Sequence, residues 1–422
     1  LNHKQSTTFE DAKSVLTTLI DHGYLAMFAG GCVRDRLLGV TPHDYDIASN
    51  AKPQEAKVMF GKMGFRVVPT GVEHGTITVI THSGPVEVTT LRKDVKTDGR
   101  HAIVSFDGAT FADDAARRDF TINAMFEDLD GKIHDFHGGQ LDLKNKILRF
   151  VGNPVERIRE DYLRILRFFR FWARLGFEAD HDAIMAIKAE VKGLIRVSQE
   201  RITNELWGIC AAKFSAEPFK CMQETGVLTV IIPEAVTFNH TFLLILRDAS
   251  LTELPLRPWI VLSLALGVLE AESLPASQIL SIAKRLRFSD KQSNTLAEIF
   301  RGWQECTVVE RDIASALLFA EQLESHNPEQ NLVSFFGPIW HFFSRHQKTS
   351  EKREKLGWLI ATDQTFQERR RMQLPVSGKD VMDILPELKG REIGDIITKT
   401  RKSFLNGEWQ SRHEGLDFLR KL

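Results

Sequence analysis

The chain has 422 residues, 43% of them hydrophobic and 26% charged, an ordinary globular mix with length for several domains and a substantial core. A formal net charge of −1 excludes a whole-molecule basic field, so any nucleic-acid surface has to come from local charge segregation. Cys32, Cys210, Cys221 and Cys306 lie far apart with no CxxC or Cys/His pairing, which disfavours structural zinc and favours reduced thiols in a cytoplasmic compartment.

The opening LNHKQSTTF has no apolar signal core, and no run is long enough to span a membrane, so no membrane partner is expected. Residues 9–22 read as an amphipathic helix feeding a first strand near Leu25, Met27 and Phe28. The strand leads into Gly30-Gly31, where a tight turn needs residues without side chains. Residues 32–38 then read as a brief helix, stopped near Gly39 and Pro42. The N–H groups at such a helix start attract phosphate, and Arg34 can add a forked donor. Residues 43–48 read as extended, and side chains two apart on a strand share a face, so Asp44 and Asp46 point at one spot.

Two acids crowded beside a phosphate cradle repel each other unless a cation sits between them. Mg²⁺ suits the place, being hard and able to bridge carboxylates to substrate phosphates. Residues 54–63 make a second helix, and 66–69 and 76–81 make strands. In 85–91, PVEVTTL, Val86 and Val88 alternate with Glu87 and Thr89, turning Glu87 away from the apolar side. If that strand pairs beside Asp44-Tyr45-Asp46, three acids converge, enough for two metal ions about 4 Å apart. The competing view makes GG a simple turn and DYD a solvated strand end. Either motif alone is weak; their order and spacing favour the joint reading.

The polar segment 93–111, with an Asp98-Gly99 turn signal, reads as a mobile element or a solvated hairpin. In RRDFTINA, Arg118, Asp119 and Asn123 fall where they can meet on one helical face, Arg118 toward a triphosphate and the other two toward a ribose hydroxyl, or else cap a solvated helix start. Residues 135–143 read as a glycine-flexed hinge or a plain turn. Strands thin out beyond about residue 150, the kind of shift a domain boundary makes.

Residues 157–177, RIREDYLRILRFFRFWARLGF, read as a helix with an aromatic row beside Arg164, Arg167, Arg170 and Arg174. Asp161 and Arg164, three apart, are neighbours on such a helix, as a plain ion pair or as a base selector. Cytosine and adenine share an amino donor beside a ring-nitrogen acceptor. A carboxylate accepting from the first and a guanidinium donating to the second admits both, and leaves guanine or uracil facing unpaired buried charge. Glu200-Arg201 reads as a brace on that helix or as a helix-start charge pair. Amphipathic helices follow over about 276–286, 291–303, 314–323, 332–345 and 352–360, and basic side chains gather at 369–371 and 389–402, for RNA or for solvation.

In order and spacing, GGCVRD with DYD, VEVTTLR, KDVKTDGRHA, RRDFTINA, DFHGGQLDL, EDYLRILRFFRF and QERITNEL resemble the class II nucleotidyltransferases, most closely the tRNA CCA-adding enzymes, across residues 28–206. The resemblance implies an α+β protein: a mixed α/β catalytic head (1–150), then an all-α neck with a nucleotide-selecting helix (151–212), body (213–330) and tRNA-binding tail (331–422), in a crescent-like monomer. It implies Asp44 and Asp46 as metal ligands with Glu87 as third acid, and Gly30, Gly31 and Arg34 at the triphosphate. Arg118 contacts the nucleotide, Asp119 and Asn123 lie near the ribose, Asp161 and Arg164 form the template for CTP or ATP, and Arg167 and Arg170 contribute further contacts. The implied partner is tRNA, held at its 3′ end and elbow. DVKTDGRHA resembles the flexible loop tied to the switch from C to A addition, which argues against a CC-only enzyme. An A-adding enzyme or a poly(A) polymerase of the same class is the alternative. The basic, aromatic signature usual in the polymerases is not found in 51–81.

Overall fold

Ala26–Ala29 (β1) lies inside a seven-stranded sheet, paired on both sides, and the N-terminal half of the chain is laid around it. The computed structural model describes residues 7–71, 75–97, 102–233, 275–290 and 372–422, with scattered short pieces between 242 and 362. Two compact units divide at 233/234, so the expected head and neck fall together in the first.

The first helix, α1 (Phe9–Asp21), starts where the Thr8 hydroxyl accepts from the Asp11 N–H at 3.3 Å, and Ala12, Val15, Leu16 and Leu19 bury one helical stripe. Strand β1 runs antiparallel to β2 (Tyr45–Ser49) and to β8 (Met125–Glu127). The full order is β3-β4-β5-β2-β1-β8-β9, with β3 Arg66–Gly71, β4 Thr76–Ile80, β5 Pro85–Thr90 and β9 Ile133–Asp135. Within that sheet β2 and β5 pair in parallel, which requires the crossover through α3 (Pro53–Lys62) and the β3–β4 hairpin. Helix α2 (Gly31–Leu37) leaves the end of β1 through Gly30, whose φ of +74° and ψ of −120° lie outside what an L side chain adopts easily. Segment 93–111 contains an antiparallel pair, β6 (Lys93–Thr97) with β7 (Ala102–Ser105); residues 98–101 lie outside the described residues.

Three local expectations change. Arg118, Asp119 and Asn123 do not share a helical face: α4 (Phe111–Ala116) ends first, and only a 3₁₀ turn, Thr121–Asn123, follows. Phe120 causes this, extended at φ −122° and ψ 146°, bridging to Phe150 and buried completely. The helix over 157–177 is two helices, α6 (Pro154–Glu160) and α7 (Arg164–Leu175), broken at Asp161 with φ −154° and ψ 104°. The Asp161 carboxylate accepts from the Leu163 N–H at 3.1 Å, a local bond that competes with helix continuation. The 135–143 turn is the start of α5 (Gly139–Asn145), where the Asp135 carboxylate accepts from the N–H groups of His137, Gly139 and Gln140.

Helices α6 and α7 are sewn to the head through side chains: Arg157 donates to the Ala116 carbonyl at 2.9 Å and Arg164 to the Arg117 carbonyl at 3.0 Å. Helix α9 (Gln199–Cys210) packs along α7 and carries Arg201 and Glu205.

In the second unit the expected helix at 276–286 is present as Ala276–Arg285. Gly378–Ile384, Arg391–Asn406 and Arg412–Arg420 enclose a small core of Val376, Val381, Phe404, Leu405, Trp409 and Leu419. The helices expected over 314–323 and 332–345 and the basic run 369–371 lie outside the described residues, as do all but fragments of 291–303 and 352–360. Among the described residues no helix is long and apolar enough to cross a membrane.

Candidate active site

The parallel β2–β5 register sets Asp46 directly beside Glu87. Asp46 is half-buried and lines a cleft of about 550 Å³, which Glu87 also lines. Burial, then Glu87 and Asp44, push the Asp46 carboxyl up to about 6 against the pull of Arg118. Behind it the Cys32 thiol is pushed up to about 11 by burial and by Asp46, so this thiol stays protonated and inert.

Asp44 differs from expectation. It stands one residue ahead of the first paired residue of β2, exposed and with no ladder to fix its direction, and it does not line the cleft. Among the described residues no group of three or more His, Cys, Asp or Glu side chains is gathered closely enough to hold a metal ion, so the expected three-acid convergence is reduced to the Asp46–Glu87 pair. The donor chemistry nevertheless fits a hard divalent cation. Oxygen ligands stand side by side, and a carboxyl at about 6 marks negative charge that a cation would relieve.

The opposite lining comes from α7, the 3₁₀ turn and α9. Arg118 and Arg117 share the buried Asp114 carboxylate: Arg117 Nε reaches Oδ1 at 2.7 Å, and Arg118 Nη2 reaches Oδ2 at 3.1 Å. Arg118 Nη1 also donates to the Asn123 carbonyl at 3.1 Å. Asp119 takes Arg167 through Nε at 2.8 Å and Nη2 at 2.6 Å, plus the Asn123 amide at 3.2 Å. Burial alone would raise the Asp119 carboxyl, but the Arg167 charge and these hydrogen bonds outweigh it and hold it below the usual range.

Arg34 is 3% exposed and commits its donors within the protein: Nε goes to Asp35 at 2.8 Å and Nη1 to the Asn123 amide oxygen at 2.6 Å. The fork anticipated for phosphate therefore faces Asp35. Asp161 and Arg164 both line the cleft but do not pair with each other. Asp161 Oδ2 accepts from Arg201 at 2.6 Å, and Arg164 donates to Glu160 at 2.5 Å and to the Arg157 carbonyl at 2.9 Å. The two residues meet through backbone instead, the Arg164 N–H donating to the Asp161 carbonyl at 2.9 Å, while their side chains go to other partners.

Thus Gly31, Arg34, Asp46, Glu87, Arg118, Asp119, Asn123, Asp161, Arg164 and Arg167 meet in one cleft, whereas Gly30, Asp44 and Arg170 stand off its lining. Gly30 sits just behind it, against Arg118. Arg170 is drawn to Glu205 at 3.0 Å, where burial lowers its pKa against the carboxylate's pull. The sequence reading assigned no site role to Arg117, Arg174, Phe171 or Asp114. The Arg117-Arg118 doublet was the visible signal for the first, and the arginine spacing on α7 for the second. Arg201, read as a brace, does brace Asp161.

A family model described as Poly A polymerase head domain matches residues 26–149, and one described as Probable RNA and SrmB- binding site of polymerase A matches 176–238. The mouse mitochondrial CCA tRNA nucleotidyltransferase 1 is 48% identical over 206 residues, 48% of this chain and 47% of that protein, so the chain spans about half the length of this curated relative. A CCA-adding enzyme of Enterococcus faecalis is 30% identical over 429 aligned positions, covering 97% of this chain and 94% of the relative. Among solved structures, the Bacillus stearothermophilus CCA-adding enzyme in complex with CTP superposes with a TM-score of 0.75 at 26% identity, covering 98% of this chain and 97% of that one.

Proposed function

Because the chain belongs to the family of CCA-adding enzymes, we propose that it adds C, C and A to the 3′ end of tRNA without a nucleic-acid template, using CTP and ATP and releasing pyrophosphate. One observation carries the reading: acids from the sheet and a carboxylate–guanidinium set from the helices line the same cleft. In the transfer, the tRNA 3′ oxygen bonds to the α-phosphorus of CTP, and later of ATP, while the bond from that phosphorus to pyrophosphate breaks.

Asp46 would hold Mg²⁺ beside Glu87, and Asp44, exposed just ahead of β2 with its charge already acting on Asp46, would turn in as the further ligand. Bound there, the ion supplies Lewis acidity toward the hydroxyl and the phosphates. The chain's own residues do the rest. Arg118, fixed by Asp114, faces the cleft as a stationary positive charge for the triphosphate, and transition-state charge is met by donors that need no reorganisation. Asp119, filled by Arg167, the Phe120 N–H and the Asn123 amide, fixes Asn123, whose second amide N–H is left to meet the ribose.

Asp161 accepts the amino group of cytosine or adenine, and Arg164 donates to the ring nitrogen. Asp161 uses one bond to Arg201 and one to the Leu163 N–H, and a carboxylate has about four lone-pair sites, so capacity for a base remains. Guanine and uracil place donors and acceptors the other way round and leave both groups unsatisfied. The four-part division into head, neck, body and a tail that grips the tRNA belongs to the same proposal, as do a monomeric state and a cytoplasmic location.

The test offers tRNA lacking CCA, tRNA ending in CC and an unrelated oligonucleotide, each with one triphosphate at a time. CTP incorporation into the first, ATP incorporation into the second and neither into the third is expected. Incorporation of ATP alone would replace the reading with an A-adding enzyme, and tailing of the oligonucleotide with a poly(A) polymerase.

A further inference from the structure

Three guanidinium groups converge on one aromatic ring at the edge of the cleft. Arg34 from α2, Arg170 and Arg167 from α7 stand 5.3, 5.5 and 5.8 Å from the centroid of Phe171. Phe171 lines the cleft at 7% exposure, and its ring packs edge-on against Phe120 at 5.2 Å and 67°.

Arg34 is held by Asp35 at 2.6 Å and Arg167 by Asp119 at 2.6 Å, while Arg170 stands in ion-pair contact with Glu205 at 3.0 Å without a hydrogen bond to that oxygen. Bonds to Asp119 along one edge set where the Arg167 guanidinium sits but leave its plane some swing about that edge, whereas Arg34 is held on a second side by the Asn123 amide oxygen at 2.6 Å. Three like charges in so small a wall also push each other apart. A ring whose faces carry negative quadrupole charge counters both effects, and the attraction grows where water is excluded. Phe120, against which the ring is braced, is the residue next to Asp119, so the ring and the carboxylate that holds Arg167 are placed by the same turn.

Resting on the nucleotidyl-transfer reading above, we infer that Phe171 is a positioning residue for substrate triphosphates, holding the cleft-lining Arg34 of the head and Arg167 of the neck in place, with Arg170 set against its ring from outside the lining. It touches the arginines and not the reacting atoms. Its contribution is orientation, so it acts on nucleotide capture more than on the chemical step. A leucine at this place fills much of the same apolar volume with no π face, whereas a tyrosine keeps the face.

The experiment compares kcat and KM for CTP and for ATP, with the melting temperature, in the wild type, Phe171→Leu and Phe171→Tyr. Phe171→Leu should raise both KM values about three- to tenfold with kcat within about twofold, and Phe171→Tyr should stay within about twofold of wild type. An unchanged KM in Phe171→Leu overturns the inference. So does an equal rise in Phe171→Tyr and Phe171→Leu, which would make the residue ordinary packing. Should Phe171→Leu not fold, Phe171→Met carries the same comparison, and a wild-type KM there refutes the role. A wild-type protein that turns over neither nucleotide would instead sink the functional reading itself, so the two failures are told apart.

Discussion

Two adjacent glycines, Gly30 and Gly31, answer to different constraints, and replacing each by alanine separates them. At Gly30 an added Cβ would sit 2.5 Å from Arg118 Nη1, inside the 3.0 Å that real Cβ atoms essentially never breach, and 3.5 Å from the Asn123 carbonyl. Its φ of +74° with ψ of −120° adds backbone strain of about 1–3 kcal/mol. The guanidinium can retreat more easily than backbone could, but doing so pulls Arg118 from the Asn123 carbonyl and disturbs its place beside Asp114.

At Gly31 an added Cβ would meet Arg34 Nη2 at 3.7 Å, an ordinary contact, in the first residue of a helix where alanine is favoured. Yet Gly31 lines the cleft, so its methyl group would intrude on the space proposed for the triphosphate. Gly30→Ala should therefore lower the melting temperature by about 2–10 °C and also raise KM for CTP. Gly31→Ala should melt within about 2 °C of wild type and show only the KM effect. Thermal melting followed by fluorescence, with steady-state CTP incorporation, measures both. A Gly30→Ala protein that melts with the wild type, or a Gly31→Ala protein that melts below it, would refute the argument.

The acid pair carries a pH signature. The folded pKa of Asp46, about 6, lies above its ordinary 3.8, so its ionised form costs stability above pH 6 and the cost is relieved as pH falls through 6. A divalent cation relieves the same cost by binding the ionised carboxylate. The rise in melting temperature on adding Mg²⁺ to chelator-treated protein should accordingly be larger at pH 7.5 than at pH 5.5, and Asp46→Asn should flatten that difference; equal shifts at both pH values in the wild type would contradict the assignment. Asp161→Ala should blur the choice of C and A over G and U in single-nucleotide incorporation, while Asp119, Arg167 and the fold stay in place. Unchanged fidelity would reject its part in base choice.

The acidic strand, the glycine turn and the Glu87 strand were legible because each is a local pattern: period-two alternation, a small-residue pair, a carboxylate on the polar face. Their pairing also followed, since Asp46 and Glu87 are in register. What escaped depends on residues far along the chain. The pairing of Asp161 is not legible locally, because its carboxylate's charged partner, Arg201, lies forty residues on. RRDFTINA looked helical because nothing within it reveals that Phe120 will bridge to Phe150. The clasp of Arg117 and Arg118 by Asp114 follows from helical spacing, three and four residues apart. Arg34 reads as a phosphate ligand until Asp35 and Asn123 are seen to occupy its donors.

The parallel alignment of β2 with β5 has a bearing on how this protein comes to be competent at all. Asp46 owes its neighbour to a segment that starts almost forty residues later, after a helix and a hairpin have been put in place. A nascent or clipped chain ending before Pro85 would contain the aspartates in full and still have nothing to set them against. The pairing is non-local, of the kind that slows folding. On the nucleotidyl-transfer reading, a chain cut short before Pro85 would lack the acid pair and with it the site.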